Sequence, residues 1–323
     1  MRALEMSQPG DATVLGYVDR EIPTVGDGQV LIRVAYAGLN FTDVLARRGA
    51  PGYAGGWPFV PGMEVAGTVA AVGGGVDGIG LGERVVAFTP DGGGFAEYVV
   101  ADARLTARVP AGLDLATATG TPLTWATALG LVRRAHIAPG DRILVTSAGG
   151  GVAAALAAVL ETVAPGVVVG GIGSAAKQDQ LSARYVPVLR DQDFYEHATA
   201  AAGAPFDVIL DSVGGDLLDQ APAHLAIGGR LISYGGAAGQ PDPGTPAYAA
   251  LRAGNQTLSG FSILRLARTA PEKVSTLIGD ILELAHGGLA ITAPDVTDWD
   301  GLIAAHITQS KGRAVGKTVV AIN

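Results

Sequence analysis

The segment from Ile143 to Leu160 constrains the fold of this chain more than any other. Ile143-Leu144-Val145-Thr146 is a short apolar run rich in β-branched residues, Ser147-Ala148-Gly149-Gly150-Gly151 is a glycine turn, and Val152 to Leu160 has the Ala and Leu content of a helix. Strand, tight turn and helix in that order make the first half of a βαβ unit. A second apolar run, Gly166 to Ile172, arrives at the spacing of the returning strand, and Val208 to Leu210 and Arg230 to Tyr234 read as later strands of the same parallel sheet. The pattern is that of an α/β, doubly wound sheet.

The N-terminal third has a different texture. Gln29 to Ala37, Val65 to Val72, Arg84 to Phe88 and Phe95 to Val100 are closely spaced strand-like runs separated by glycine turns, which predicts a small, strongly bent β-domain. Leu115 to Arg134 lacks strand alternation and reads as helical, as does Pro271 to His286; the tail Ala314 to Ile322 reads as a strand that rejoins the first domain. The expected division is residues 1–117, 118–258 and 259–323, the last returning to the first. With 323 residues the chain is long enough for two cores, and its 48 glycines are scattered among Val, Ile and Leu rather than gathered in a low-complexity tract.

Charge and composition exclude several classes of function. Lys and Arg number 22 against 30 Asp and Glu, with no basic stripe, so a nucleic-acid partner is not expected. The chain has no Cys, which removes disulfides, thiol nucleophiles and thiolate metal sites. Met1 to Pro9 lacks a secretory leader pattern and no stretch reaches about 18 uninterrupted apolar residues, so a cytoplasmic protein without a membrane partner is expected.

The chemistry starts at the glycine turn. A pyrophosphate needs close backbone approach and the unpaired N–H groups of a helix N-terminus, and Ser147-x-x-Gly150-x-x-Ala153 is a relaxed form of the dinucleotide fingerprint, with Gly151 and Val152 opening the helix. An NAD-specific site would carry Asp or Glu after the second strand; here the chain reads Gly173-Ser174-Ala175-Ala176-Lys177. Ser174 can hydrogen-bond a 2′-phosphate and Lys177 can pair with it, which favours NADPH, with Arg184 or Arg190 assisting. Read alone, Lys177 also fits the start of a solvated helix.

Gly38-Leu39-Asn40-Phe41-Thr42-Asp43, Pro61-Gly62-Met63-Glu64-Val65-Ala66-Gly67, Gly94-Phe95-Ala96-Glu97-Tyr98-Val99, Thr121 to Leu129, Pro139 to Arg142, Asp211-Ser212-Val213-Gly214 and Val315-Gly316-Lys317 together resemble the medium-chain dehydrogenase/reductase superfamily along essentially the whole chain. The resemblance implies a GroES-like β-domain built from both ends of the sequence and a central Rossmann domain. It implies that Asn40 and Thr124 lie near the nicotinamide, Ser147 and Gly150 to Val152 at the pyrophosphate, and Ser174 and Lys177 at the 2′-phosphate. Ser212, Val213, Tyr234 and Gly235 would line the cofactor site, and the Phe261-Ser262-Ile263 backbone would meet the carboxamide.

Within the superfamily the chain is similar to the zinc-free quinone oxidoreductase and enoyl reductase branch. Met63 stands where zinc-binding relatives carry His, and the five histidines, at 136, 197, 224, 286 and 306, form no close ligand pair, so no metal is expected. The implied chemistry is hydride transfer from NADPH to a small-molecule quinone or α,β-unsaturated carbonyl, with Asn40, Tyr53 and Thr124 as candidate catalytic residues and the 50–59 and 237–248 loops shaping the pocket. Three departures stand out: Tyr53 is shifted by about two residues from the position relatives use for proton donation, Thr146 stands where His is frequent, and Arg190 stands where a Tyr often lies near the adenosine end. A homodimer is implied by resemblance alone. A second class of function, a redox-inactive lyase or cyclase or a nucleotide-binding regulatory protein, is compatible with the same fold.

Overall fold

In the computed structural model, which describes residues 1–239 and 248–322, the strands follow the two textures of the sequence. β1 (Arg2–Met6) and β2 (Leu15–Asp19) form an antiparallel pair, and β3 (Gln29–Leu39), β4 (Glu64–Val72), β5 (Arg84–Phe88), β6 (Tyr98–Asp102) and β7 (Thr106–Arg108) build the N-terminal sheet. β8 (Ile143–Val145), β9 (Val168–Ile172), β10 (Val186–Leu189), β11 (Phe206–Asp211), β12 (Leu225–Ser233) and β13 (Thr257–Gly260) form a six-stranded parallel sheet. β14 (Asp295–Thr297) and β15 (Thr318–Ala321) return to the first sheet, where β15 runs antiparallel to β3. The chain divides into two compact units, Met1–Ala126 with Ile263–Asn323, and Thr127–Ser262.

In the first unit β3 is the organising strand, pairing with β4, β6 and β15. Two register shifts against β4, at Leu31/Ile32 and Val34/Tyr36, bend the ribbon as bulges do. The bend wraps the sheet around a core that includes Leu4, Val30, Ile32, Val65, Val85, Phe95 and Val320. The expected Phe95 strand begins three residues later, at Tyr98, because Phe95 itself is spent on the turn against Pro61 and on a hydrogen bond to Leu4 N at 2.9 Å.

The second unit has strand order β10-β9-β8-β11-β12-β13, the order of a doubly wound dinucleotide fold with its switch point between β8 and β11. The central strands β8, β9 and β11 are buried and rich in Val, Ile and Leu, as a sheet covered on both faces requires. Helix Gly151–Glu161 follows β8 directly and buries six of its Ala, Leu and Val side chains.

The stretch expected as one helix from Leu115 to Arg134 is three pieces: an α-turn at Leu115–Ala118, a π-turn at Thr121–Trp125 and a helix at Ala126–Arg134. The cause is chemical. Pro122 has no N–H to give, and the N–H groups of Leu123 and Thr124 donate to the Glu64 carboxylate, at 3.1 and 3.3 Å, instead of continuing the α ladder. That diversion also keeps 118–126 with the first unit, beyond the boundary at 117 expected from sequence.

His306 lies on helix Leu302–Ser310, which packs on helix Phe41–Arg47. It is fully buried, neither ring nitrogen makes a geometrically good hydrogen bond among the described residues, and desolvation, aided by Arg47 and opposed by the backbone of Asp43, holds its pKa down to about 4. A depressed histidine pKa means stability that is complete above the unfolded value near 6.5 and is lost as pH falls towards the folded value. Urea denaturation of wild type against His306→Phe at pH 7 and pH 4 is expected to show the wild type losing on the order of 3 kcal/mol relative to the variant at the lower pH. Parallel pH profiles would contradict this.

Candidate functional site

Each unit gathers a separate set of the predicted residues. In the parallel sheet they collect at the carboxyl ends of β8, β9, β11 and β12. Thr146, the last residue before the glycine turn, gives its hydroxyl proton to Asp211 Oδ1 at 2.7 Å and accepts from Ser212 N at 3.3 Å, tying the two strands that flank the switch point. Asp211 is buried, and desolvation raises its pKa despite the Thr146 hydroxyl and the N–H groups of Gly214 and Val213 that it accepts. Thr146 thus performs a positioning task across the switch point.

Gly150 caps helix Gly151–Glu161 in an extended conformation. A Cβ at Gly150 would meet nothing closer than the Ser147 carbonyl oxygen at 3.9 Å, so packing within the protein does not require glycine here. A glycine at a helix N-terminus also leaves the backbone open to close approach by an anion. Lys177 lies over the same turn, with its Cδ 3.2 Å from the position a Gly149 Cβ would take. Arg190 reaches the β9 end from β10, where its Nη2 stands 2.8 Å from the Cβ position of Gly173. Desolvation and the Arg190 charge both lower the Lys177 pKa, and desolvation, opposed by the Asp211 carboxylate, lowers that of Arg190, whose Nε has no hydrogen-bond partner among the described residues. Ser174 caps the 3₁₀ turn Ala175–Gln180 that carries Lys177.

Ser212, Val213, Tyr234 and Gly235 come together as adjoining strand ends, joined by Ala237 N to Ser212 O at 3.0 Å and Ala238 N to Val213 O at 2.9 Å. Tyr234 has its phenol pushed up to about 12 by desolvation, against the influence of Ser212. Phe261 follows β13 and sends its ring under Gly130, where a Cβ would be 2.4 Å from Cζ; the next residues are Ser262, the last of this unit, and the buried Ile263, the first of the other. Residues 240–247 of the second expected pocket loop lie outside the described residues.

The first unit holds Asn40 and Thr124 in one buried polar cluster whose hub, Glu64, was quoted from sequence only as part of a motif. Glu64 Oε1 accepts from Asn40 Nδ2 at 2.9 Å, from Thr124 Oγ1 at 3.1 Å and, at close range, from Lys317 Nζ. Lys317 Nζ also donates to Asn40 Oδ1 at 2.8 Å and Leu39 O at 3.0 Å. Gly38 is required by this cluster: its Cβ would stand 2.5 Å from Glu64 Oε1. Asp43 accepts from Asn40 N at 2.8 Å and Gly62 N at 2.9 Å, while complete desolvation raises its pKa to about 6.

Tyr53 lies apart from that cluster in the hydrogen-bond network. Its ring packs partly buried against the β-core, burial raises its pKa, and among the described residues no hydrogen bond engages its hydroxyl. Arg268 clasps its loop, donating to Gly52 O at 2.6 Å, Pro90 O at 2.8 Å and Asp91 Oδ1 at 3.1 Å. Arg268, Asp211 and the roles of Glu64 and Lys317 were not found from sequence. The signal for the pair was present, since Glu64 and Lys317 sit inside apolar strand patterns where a lone charge is untenable.

The alcohol dehydrogenase GroES-like domain family matches residues 26–111, and the zinc-binding dehydrogenase family matches residues 181–320. A probable quinone oxidoreductase of Schizosaccharomyces pombe is 33% identical over 74% of this chain and 73% of its own length. The chain belongs to the medium-chain dehydrogenase/reductase superfamily. A mycobacterial member, Rv1454c, solved in complex with NADPH, superposes with a TM-score of 0.87 at 28% identity over the full length of both chains. The pikromycin polyketide synthase component PikAII of Streptomyces venezuelae is 34% identical over 97% of this chain, which spans only 8% of that protein. Among the described residues no helix is long and apolar enough to cross a membrane.

The Glu64–Lys317 pair has side-chain exposures of 0% and 9%, which makes removal of one partner costly. Lys317→Met, which strands a buried carboxylate, is expected to lose about 3–5 kcal/mol in chemical denaturation, and the double variant Glu64→Gln/Lys317→Met to recover most of it. Equal losses in the two would show that the pair is not coupled.

Proposed function

We propose that this superfamily member is an NADPH-dependent oxidoreductase that reduces a quinone or an α,β-unsaturated carbonyl without zinc. The observation that carries the reading is the pair of cations Lys177 and Arg190, held close enough for one to depress the other, beside a glycine turn that packing alone does not demand. Lys177 and Arg190 are both half-buried, with the Asp211 carboxylate also acting on Arg190, and this cationic corner suits the 2′-phosphate of NADPH. The second strand ends without the carboxylate that an NAD-specific site would place there. The NADPH complex of Rv1454c supports the same choice.

The donor set does not fit zinc. The chain has no Cys, and Lys317, rather than a metal, neutralises Glu64 at the Asn40 cluster. Among the described residues no group of three or more His, Asp or Glu side chains has metal-binding geometry. Without a Lewis acid the acceptor must already be activated by conjugation.

NADPH when bound supplies the hydride. The N-terminus of helix Gly151–Glu161, with Ser147, Gly150, Gly151 and Val152, would hold the pyrophosphate, and Ser174, Lys177 and Arg190 would hold the 2′-phosphate. Ser212, Val213, Tyr234, Gly235 and the 261–263 backbone would border the nicotinamide half, and Asn40 and Thr124 remain the catalytic candidates that the family resemblance names. Tyr53, whose hydroxyl makes no hydrogen bond among the described residues, is the candidate proton donor to the reduced acceptor. A homodimer in the cytoplasm acting on a small molecule completes the reading.

Fluorescence titration is expected to show NADPH binding more tightly than NADH, with Lys177→Ala and Arg190→Ala each weakening NADPH by about 1.5–3 kcal/mol, roughly ten- to hundred-fold, and leaving NADH nearly unchanged. NADPH absorbance should then fall on addition of 1,4-benzoquinone or a simple enone. Binding without turnover would favour the lyase, cyclase or regulatory reading, and no binding of either nucleotide would sink the oxidoreductase.

A further inference from the structure

The glycines in and just after β9 do different jobs. A Cβ at Gly170 would stand 2.6 Å from Ala148 Cβ, and one at Gly171 would stand 2.6 Å from Thr146 O and 2.9 Å from Phe194 Cζ, so packing of the strand leaves no room for a side chain at either. Gly173 is another case. It is exposed and its backbone lies outside the left-handed region. Apart from its chain neighbours, the only atoms a Cβ would find within 4 Å are Arg190 Nη2 at 2.8 Å and Arg190 Cζ at 3.8 Å. Neither backbone conformation nor core packing asks for glycine here. The one group a side chain would displace is a guanidinium.

Arg190 is brought there by strand order. β10 pairs with β9 up to Leu189 opposite Ile172, and the Arg190 N–H then donates to Ile172 O at 2.8 Å, which fixes its backbone level with the end of β9. Ser174 follows Gly173 directly and caps the 3₁₀ turn that carries Lys177. The Asp211 carboxylate, held by the Thr146 hydroxyl and the N–H groups of Val213 and Gly214, acts on the same guanidinium from the end of β11. All of these residues belong to one compact unit, Thr127–Ser262.

We infer that Gly173 is a specificity-determining residue: the absence of a side chain there lets the Arg190 guanidinium lie across the end of β9 beside Ser174, where it reads the 2′-phosphate that distinguishes NADPH from NADH. The inference rests on the proposed NADPH reading. The end of the second strand is where a dinucleotide fold meets the 2′ position of the adenosine ribose. A methyl group at 173 needs about 3.5 Å to a non-bonded neighbour where 2.8 Å is available, so Nη2 would move by roughly 0.7 Å or more. What moves is the far end of a flexible side chain, so the fold loses little, whereas a two-pronged guanidinium–phosphate contact depends on placement. The competing explanation is that Gly173 keeps the backbone open to the nucleotide itself, which requires equal losses for both nucleotides.

The test titrates wild type, Gly173→Ala, Arg190→Ala and the double variant with NADPH and with NADH by fluorescence, with thermal melting as the check of folding. Gly173→Ala is expected to weaken NADPH about three- to ten-fold, to leave NADH within about two-fold, and to melt within a few degrees of wild type. Adding Gly173→Ala to Arg190→Ala is expected to weaken NADPH no further, since the methyl group then has no guanidinium to displace. Equal weakening of NADPH and NADH would make the glycine an opening for the nucleotide and overturn the inference. Losses that add in the double variant would also overturn it, as would a melting temperature far below wild type, which would show that packing requires the glycine. Wild type that prefers NADPH, with Gly173→Ala unchanged from it, defeats the inference alone. Wild type that binds both nucleotides equally, or neither, defeats the NADPH reading and the inference with it.

Discussion

A carboxylate with no access to water governs the first unit. Glu64 opens β4, and its charge survives burial only because Lys317, 253 residues further on, is brought against it by the pairing of β15 with β3. The return of the chain to its first domain is therefore an electrostatic requirement as well as a matter of sheet completion. The same carboxylate draws the N–H groups of Leu123 and Thr124 out of a helix and forces a π-turn at Thr121–Trp125. Gly38 and the motif around Asn40 exist in the form they do because a side chain at 38 would occupy the space of Glu64 Oε1.

The second unit answers to a different constraint, the convergence of strand ends at a topological switch point. Thr146 and Asp211 tie β8 to β11 with one short side-chain hydrogen bond. Arg190 arrives from the edge strand, so its proximity to Lys177 and to the glycine turn depends on the order of strands rather than on distance in sequence. Where Asp would mark an NAD site, the cations Lys177 and Arg190 accumulate, and the charge of Arg190 lowers the Lys177 pKa.

Much of this was legible along the chain. The strand, glycine turn and helix at 143–161, the absence of an acid after β9, and the presence of Lys177 are local patterns, and local patterns survive being read in one dimension. Some elements were legible only roughly: the strand expected from Phe95 starts at Tyr98, and the helix expected from Leu115 is broken, because turn packing and a distant carboxylate overrode local preference. Tyr53 was recognised as displaced, yet its loop is set by Arg268, a residue more than two hundred positions away.

The sequence by itself determined the architecture and the superfamily and marked the glycine turn and Lys177 as a candidate phosphate site, since periodicity, glycine spacing and the presence or absence of a carboxylate are properties of contiguous residues. Only the tertiary structure decided which polar groups are committed to one another. Asn40 and Thr124 look in sequence like groups ready to meet a ligand; in the fold, Glu64 and Lys317 take up their protons. Whether a donor is available depends on what lies within three ångströms of it, and those neighbours come from parts of the chain that only folding brings together.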